Sequence, residues 1–129
     1  MRNYLLLLLL VSTGASAQWQ SLGGNEVETA YVDSDNIQRG EHVRMWGLFD
    51  LKSPRNIGDM SYLSLKIQRE YACSPKDRRT RIIKRTAHAD HMGTGNLIYS
   101  SNTKEKWTTI QPDSVEEALW NIACDINPK

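Results

Sequence analysis

The chain has 129 residues and a formal net charge of +1, enough for one core of modest size. So small a charge excludes a general electrostatic pull toward nucleic acid or an anionic membrane, and any charged partner must be met by a local patch. The two cysteines lie far apart, which argues against dithiol redox chemistry of the CxxC kind.

The chain opens MRNYLLLLLLVSTGASAQW. Arg2 makes the start positive, residues 5–11 form an apolar run too short to cross a bilayer, and Ala15-Ser16-Ala17 is a small-x-small cleavage signal. The expectation is a cleaved signal peptide over residues 1–17, cut between Ala17 and Gln18, then a single domain over residues 18–129. A short membrane anchor is the competing reading, and no full-length span supports it. No cysteine follows the apolar run, so neither a lipid anchor nor membrane embedding is expected. Losing Arg2 brings the formal charge from +1 to zero. In a small exported chain, Cys73 and Cys124 read as one disulfide. Two free buried thiols are the alternative. A bridge would close a loop of about fifty residues, worth about 4 kcal/mol in the chain-entropy model.

Residues 19–22 suggest a first short strand, and Gly23-Gly24-Asn25 a turn. Residues 27–32 (VETAYV) alternate, with Val27, Thr29 and Tyr31 on one side. A turn cluster follows at residues 33–36, and Arg39-Gly40-Glu41 reads as a hairpin turn. Residues 42–51 (HVRMWGLFDL) are a strong strand with Val43, Met45, Gly47 and Phe49 on one face and Arg44, Trp46, Leu48 and Asp50 on the other. Residues 52–59 (KSPRNIGD) read as a polar loop. In residues 60–73 (MSYLSLKIQREYAC), Leu63, Leu65, Ile67, Tyr71 and Cys73 share one parity, broken only by Arg69. That is a half-buried antiparallel strand with Cys73 facing inward. Residues 74–77 turn, and residues 78–89 form a long strand whose faces are blurred by adjacent Ile82 and Ile83. Residues 90–95 are a glycine-rich turn, residues 97–101 a short strand, and residues 107–110 another.

Residues 113–125 (DSVEEALWNIACD) predict the one convincing helix beyond the leader. Ser114 and Glu117 make a capping box. Val115, Ala118, Leu119, Ile122 and Ala123 fall on one apolar stripe. Trp120 and Cys124 lie outside it. Either the last turn departs from helix or the helix is covered on more than one side. The predicted class is α+β: a single curved antiparallel sheet of about six strands in meander order, with this helix on one face and tied to the middle strand through Cys73 and Cys124.

Three features are candidates for a site. His88, Asp90, His91 and Met92 offer ligands for zinc, copper or haem, though i and i+3 on a strand face opposite ways unless the turn intervenes. Solvated turn residues are the plainer reading, and no cofactor is expected. The run Arg78, Arg79, Arg81, Lys84 and Arg85 suits a polyanion such as a glycosaminoglycan, a lipopolysaccharide or an acidic protein surface. Edge protection of a strand is the competing reading. Gly93-Thr94-Gly95 is a tight turn, not a phosphate loop. There is no GxSxG and no HExxH, and no enzyme is expected. Export disfavours nucleic acid as a partner.

Several segments together resemble the bacterial surface-adhesin protein E-like family. They are Trp19 and Tyr31-Val32-Asp33, Val43-Arg44-Met45-Trp46 running to Asp50, Ser61-Tyr62-Leu63-Ser64 leading to Tyr71-Ala72-Cys73, Met92-Gly93-Thr94-Gly95 before Tyr99-Ser100, and Trp107 with Pro112-Asp113-Ser114 and the run from Ala118 to Cys124. The resemblance spans essentially the whole chain after the leader. It implies about six antiparallel strands with a C-terminal helix disulfide-tethered to the concave face. It also implies a surface protein that binds host extracellular-matrix components and forms homodimers. The reading is therefore an exported, non-catalytic adhesion module. A periplasmic ligand, haem or metal binder, or an envelope-assembly partner, is the alternative.

Overall fold

A computed structural model describes residues 18–125. The expected signal peptide, with Ala17 on one side of its cleavage site, lies outside the described residues. The strands follow in chain order: β1 (Gln20–Gly24), β2 (Glu28–Val32), β3 (Val43–Ile57), β4 (Met60–Ser74), β5 (Asp77–His88), β6 (Leu97–Ser101) and the two-residue β7 (Thr108–Thr109). Six strands pair in sequence order, every pair antiparallel, and β7 adds to β5 beside β6. The sheet is open and curved, and the α-helix α1 (Val115–Ala123) packs on its concave face.

The core forms where that helix meets the sheet. Val32, Val43, Met45 and Tyr71 from the strands close on Ile110, Leu119, Trp120 and Ala123. A smaller cluster of Leu51, Tyr62 and Ala87 continues the apolar packing toward the other end of the sheet. The expected inward parity of β4 holds at Ile67 and Tyr71, but the strand is covered on both faces. Leu63, Leu65 and Cys73 are half-buried, while Tyr62, Ser64, Glu70 and Ala72 of the other parity are buried. Arg69, the break in the apolar parity, reaches Glu116 on the helix at 3.6 Å. The expected tie is present. Cys73 and Cys124 are bonded across 51 residues, with Cα atoms 5.4 Å apart.

The helix begins as its sequence says. Ser114 Oγ accepts the Glu117 backbone N–H at 3.1 Å. Glu117 Oε1 accepts from Asp113, one residue before the cap, at 3.3 Å. The helix is rotated from the expected stripe, however. Leu119, Trp120 and Ala123 are buried, while Val115 is 43% exposed. Trp120 is large enough to turn its own side toward the sheet, and its indole N–H donates to the Ala72 carbonyl at 2.8 Å. Cys124 is the C-terminal cap, outside the helical turns.

Two turns differ from expectation. Gly23 and Gly24 belong to β1, and the turn falls at Asn25, whose side chain accepts from the Val27 and Glu28 N–H groups. Residues 52–57, expected in a loop, extend β3, with Ile57 opposite Met60 around a two-residue turn at Gly58. This arm is exposed throughout, so no buried face imposes an alternation that could be read. Pro54 sits where the β3–β4 register shifts between Asp50 and Arg55, a position that needs no ladder N–H.

Residues 90–95 fold back over the opposite, outer face of the sheet. Ser64, fully buried, donates from its hydroxyl to the Asp90 carbonyl at 2.6 Å and accepts from Gly93 N–H at 2.8 Å. Asp50 Oδ1 accepts the Met92 N–H at 2.8 Å. Met92 has φ of 58°, a conformation that costs an L-residue free energy, while Gly93 at 69° adopts it without that cost. The two side chains therefore hold a turn that the backbone alone would not favour.

Candidate functional site

The outer face is where chemistry-bearing side chains gather, and strand register explains how. Residues opposite one another share a face, as do alternate residues along a strand. Trp46 stands opposite Gln68, and Gln68 opposite Lys84. In the next row Arg44 faces Glu70, and Glu70 faces Arg81. In the row after that, Ala72 faces Arg79. Arg81 and Lys84 are three apart and would face opposite ways on an unbroken strand. A bulge between Gln68 and Arg69 inserts Ile83 without a partner, and the extra residue returns Lys84 to the outer face.

Two tryptophans organise these cations. The Lys66 and Lys84 ammonium groups each lie 5.8 Å from the Trp46 ring centre. The Arg81 and Arg79 guanidinium groups lie 4.5 and 5.2 Å from that of Trp107. The His42 ring packs against Trp107 at 4.9 Å. Each such cation–ring contact is worth about 0.5–1 kcal/mol at an exposed site. The larger effect is on orientation: a guanidinium stacked over a ring is held in one plane, with its N–H groups directed to the rim of the ring.

Glu70 sits beneath this layer, 4% exposed. Its carboxylate accepts from Arg81 Nε at 2.8 Å and from Arg44 Nε at 3.2 Å. Burial pushes its pKa up, but the hydrogen bonds from Arg81 and then Arg44, with their charges, outweigh that and hold it below the ordinary carboxylate value. One buried carboxylate thus fixes two guanidinium groups. Asp77 pairs with Arg79 at 2.7 Å at the end of the face. Beside the Arg44 and Arg81 pair, a cleft of about 470 Å³ opens between residues 38–42 and Lys104.

The basic run is split by the fold. Arg79, Arg81 and Lys84 join the outer face. Arg78 does not: it bonds Glu117 at 3.0 Å and lies 4.6 Å over the Trp120 ring, bracing the helix. Arg85 stands opposite Ile67 on the helix side and bonds Glu105 at 2.8 Å. Arg44, Trp46, Lys66, Glu70 and Trp107 complete the face and were missed as a set. Alternation within each strand placed several of them outward, but only the pairing of three strands puts them side by side.

The two histidines do not converge. His88 Nε2 is 2.9 Å from Thr86 Oγ1, and burial together with Lys66 lowers its pKa from the ordinary histidine value. His91 Nδ1 is 3.1 Å from Asp50 Oδ1. Among the described residues, no group of three His, Cys, Asp or Glu side chains is set to hold a metal. Nor is any helix among them long and apolar enough to cross a membrane.

The family model for surface-adhesin protein E matches residues 19–125. The chain belongs to that family. Solved structures of protein E from Haemophilus influenzae share its fold. One crystal form superposes with a TM-score of 0.60 at 14% identity, covering 74% of this chain and 80% of that one. The structure from a non-typeable strain gives 0.64 at 15% identity, covering 88% and 79%. Identities this low speak for the fold alone. No curated protein matches the sequence significantly.

Proposed function

We propose that residues 18–129 are a single, exported, non-catalytic adhesion domain, released from its leader by cleavage after Ala17, that binds host extracellular-matrix components at the bacterial surface. The observation that carries this reading is the family match over residues 19–125. The outer face supports it. Its groups are hydrogen-bond donors and cations held rigid by tryptophans and a buried carboxylate, an arrangement suited to capturing an anionic partner.

The test has two parts. Protease added to intact cells of the source organism should digest the chain without opening the envelope. The purified exported form should bind at least one immobilised matrix component at micromolar concentration. Protection from protease would place the chain in the periplasm, and a matrix panel without binding would remove adhesion.

A further inference from the structure

The adhesion reading leaves the ligand open, and the outer face narrows it. We infer that this face binds a sulfated linear polysaccharide, with Lys66, Lys84, Arg81, Arg44 and Arg79 as the anion-binding groups and the cleft between Arg44 and Lys104 as the deepest subsite. The inference rests on the adhesion reading and names its ligand class.

Three observations lead there. The first is the row spacing. The cations occupy successive rows of β3, β4 and β5, and rows on one face repeat about every 6.6–6.8 Å along a strand. They make a stripe, which fits a chain of repeated anions better than a single ion. The second is electrostatic imbalance. Within the stripe, Glu70 is buried beneath Arg44 and Arg81, Asp77 lies at its end beside Arg79, and Glu41 shares the cleft with Arg39, Arg44, Arg81 and Lys104. Lys66 and Lys84 make no ion pair with a described residue and meet the Trp46 ring instead. A chain that is nearly neutral overall therefore concentrates free positive charge on one face. The third is preorganisation. Arg81 is held by Glu70 and Trp107 together, so little freedom is lost when its remaining N–H groups meet a sulfate.

An acidic peptide is the other candidate, and the surroundings favour it less. Peptides commonly add to an open strand edge or seat apolar side chains in pockets. The stripe lies on central strands, and the outer edge of β5 is already covered by β6, β7 and the Glu105 N–H, which donates to the Ile82 carbonyl at 2.8 Å. The strongly exposed apolar side chains, Val27, Met60 and Leu97 among them, lie away from these rows.

The test uses the exported form of the whole chain on immobilised heparin, with fully desulfated heparin and poly-glutamate as comparison ligands. Binding should be strong in low salt, weaken steeply with salt, and be lost on desulfation. The double variant Lys66→Gln/Lys84→Gln removes two cations that hold no buried partner and should weaken binding about ten-fold or more. The double variant Lys52→Gln/Arg55→Gln, on the exposed β3 arm, removes the same charge and should bind as the parent does. Equal loss in both variants would reduce the effect to net charge and overturn the site. Equal or tighter binding to poly-glutamate would overturn the polysaccharide in favour of an acidic peptide. Absence of heparin binding would also overturn it. Adherence of protein-coated beads to host cells separates the two readings. Adherence without heparin binding removes the ligand assignment and leaves adhesion standing, whereas heparin binding without adherence does the reverse.

Discussion

The Trp120 indole N–H donates to the Ala72 carbonyl at 2.8 Å, and the next residue of β4, Cys73, is bonded to Cys124, one helical turn beyond Trp120. Two adjacent strand residues thus hold the last turn of the helix and its C-terminal cap, one by a hydrogen bond and one covalently. Trp120→Phe keeps a six-membered ring and removes the donor together with the pyrrole part of the indole. It should cost about 1–3 kcal/mol, because the buried carbonyl is left unpaired. Trp120→Ala should cost about 3–5 kcal/mol through the cavity it opens. Urea unfolding of both variants measures the two terms, and a Trp120→Phe variant as stable as the parent would show that the hydrogen bond contributes nothing.

The disulfide acts mainly on the unfolded chain, by shortening the loop between β4 and the helix. Replacing both Cys73 and Cys124 with serine should lower stability by about 2–5 kcal/mol. Reductant should lower the melting temperature of the parent and leave that of the double variant unchanged. A parent insensitive to reductant would mean that packing by Leu119, Trp120 and Ala123 alone holds the helix.

These two holds differ in how they could be read from sequence. Cys73 showed its inward face through the alternation of Leu63, Leu65, Ile67 and Tyr71, and its partner was the one other cysteine. Trp120 was legible only as an exception. Its position outside the apolar stripe marked a conflict, and the size of the ring resolved it by rotating the helix until Val115 came to the surface. The outer face was harder. Arg44 with Trp46, and Lys66 with Glu70, were recognisable as outward pairs, but their meeting depends on the register of three strands. The bulge at Ile83 inverts the parity of everything after it in β5. A run of basic residues therefore looked like one patch when the fold divides it between two faces. The β3 arm over residues 52–57 escaped for the opposite reason, since a ribbon exposed on both sides carries no hydrophobic signal.

Glu70 makes stability depend on pH in a stated direction. Its folded pKa lies below the ordinary value of 4.5 because Arg81 and Arg44 outweigh the effect of burial. The unfolded chain therefore binds this proton first as the solution is acidified. The stabilisation is fully present above about pH 4.5 and is lost as pH falls through the lower folded value. His88 adds to the same trend at higher pH. Burial and Lys66 lower its folded pKa from 6.5, so stability starts to decline as pH drops through that value. Glu70→Gln should cost about 1–3 kcal/mol at neutral pH, and its melting temperature should fall less than the parent's between pH 5 and 3 (the acid flank of the ordinary carboxylate range). Parallel curves for parent and variant in that interval would assign the acid sensitivity to other carboxylates, Glu117 beside Arg78 first among them.

Ser64 carries a prediction confined to one turn. Its buried hydroxyl bridges the Asp90 carbonyl and the Gly93 N–H, while Asp50 takes the Met92 N–H beside it. Ser64→Ala removes both bonds of the hydroxyl at once and should cost about 1–3 kcal/mol. Because Met92 sits at positive φ, which costs an L-residue free energy, the turn should open locally before the sheet does. Hydrogen exchange of the Met92 and Gly93 amides should speed up in the variant, with the amides of α1 unchanged on the other face. If exchange at Gly93 stayed at the parent rate, Asp50 would be the group that holds the turn. Asp50→Ala should then release it while Ser64→Ala does not.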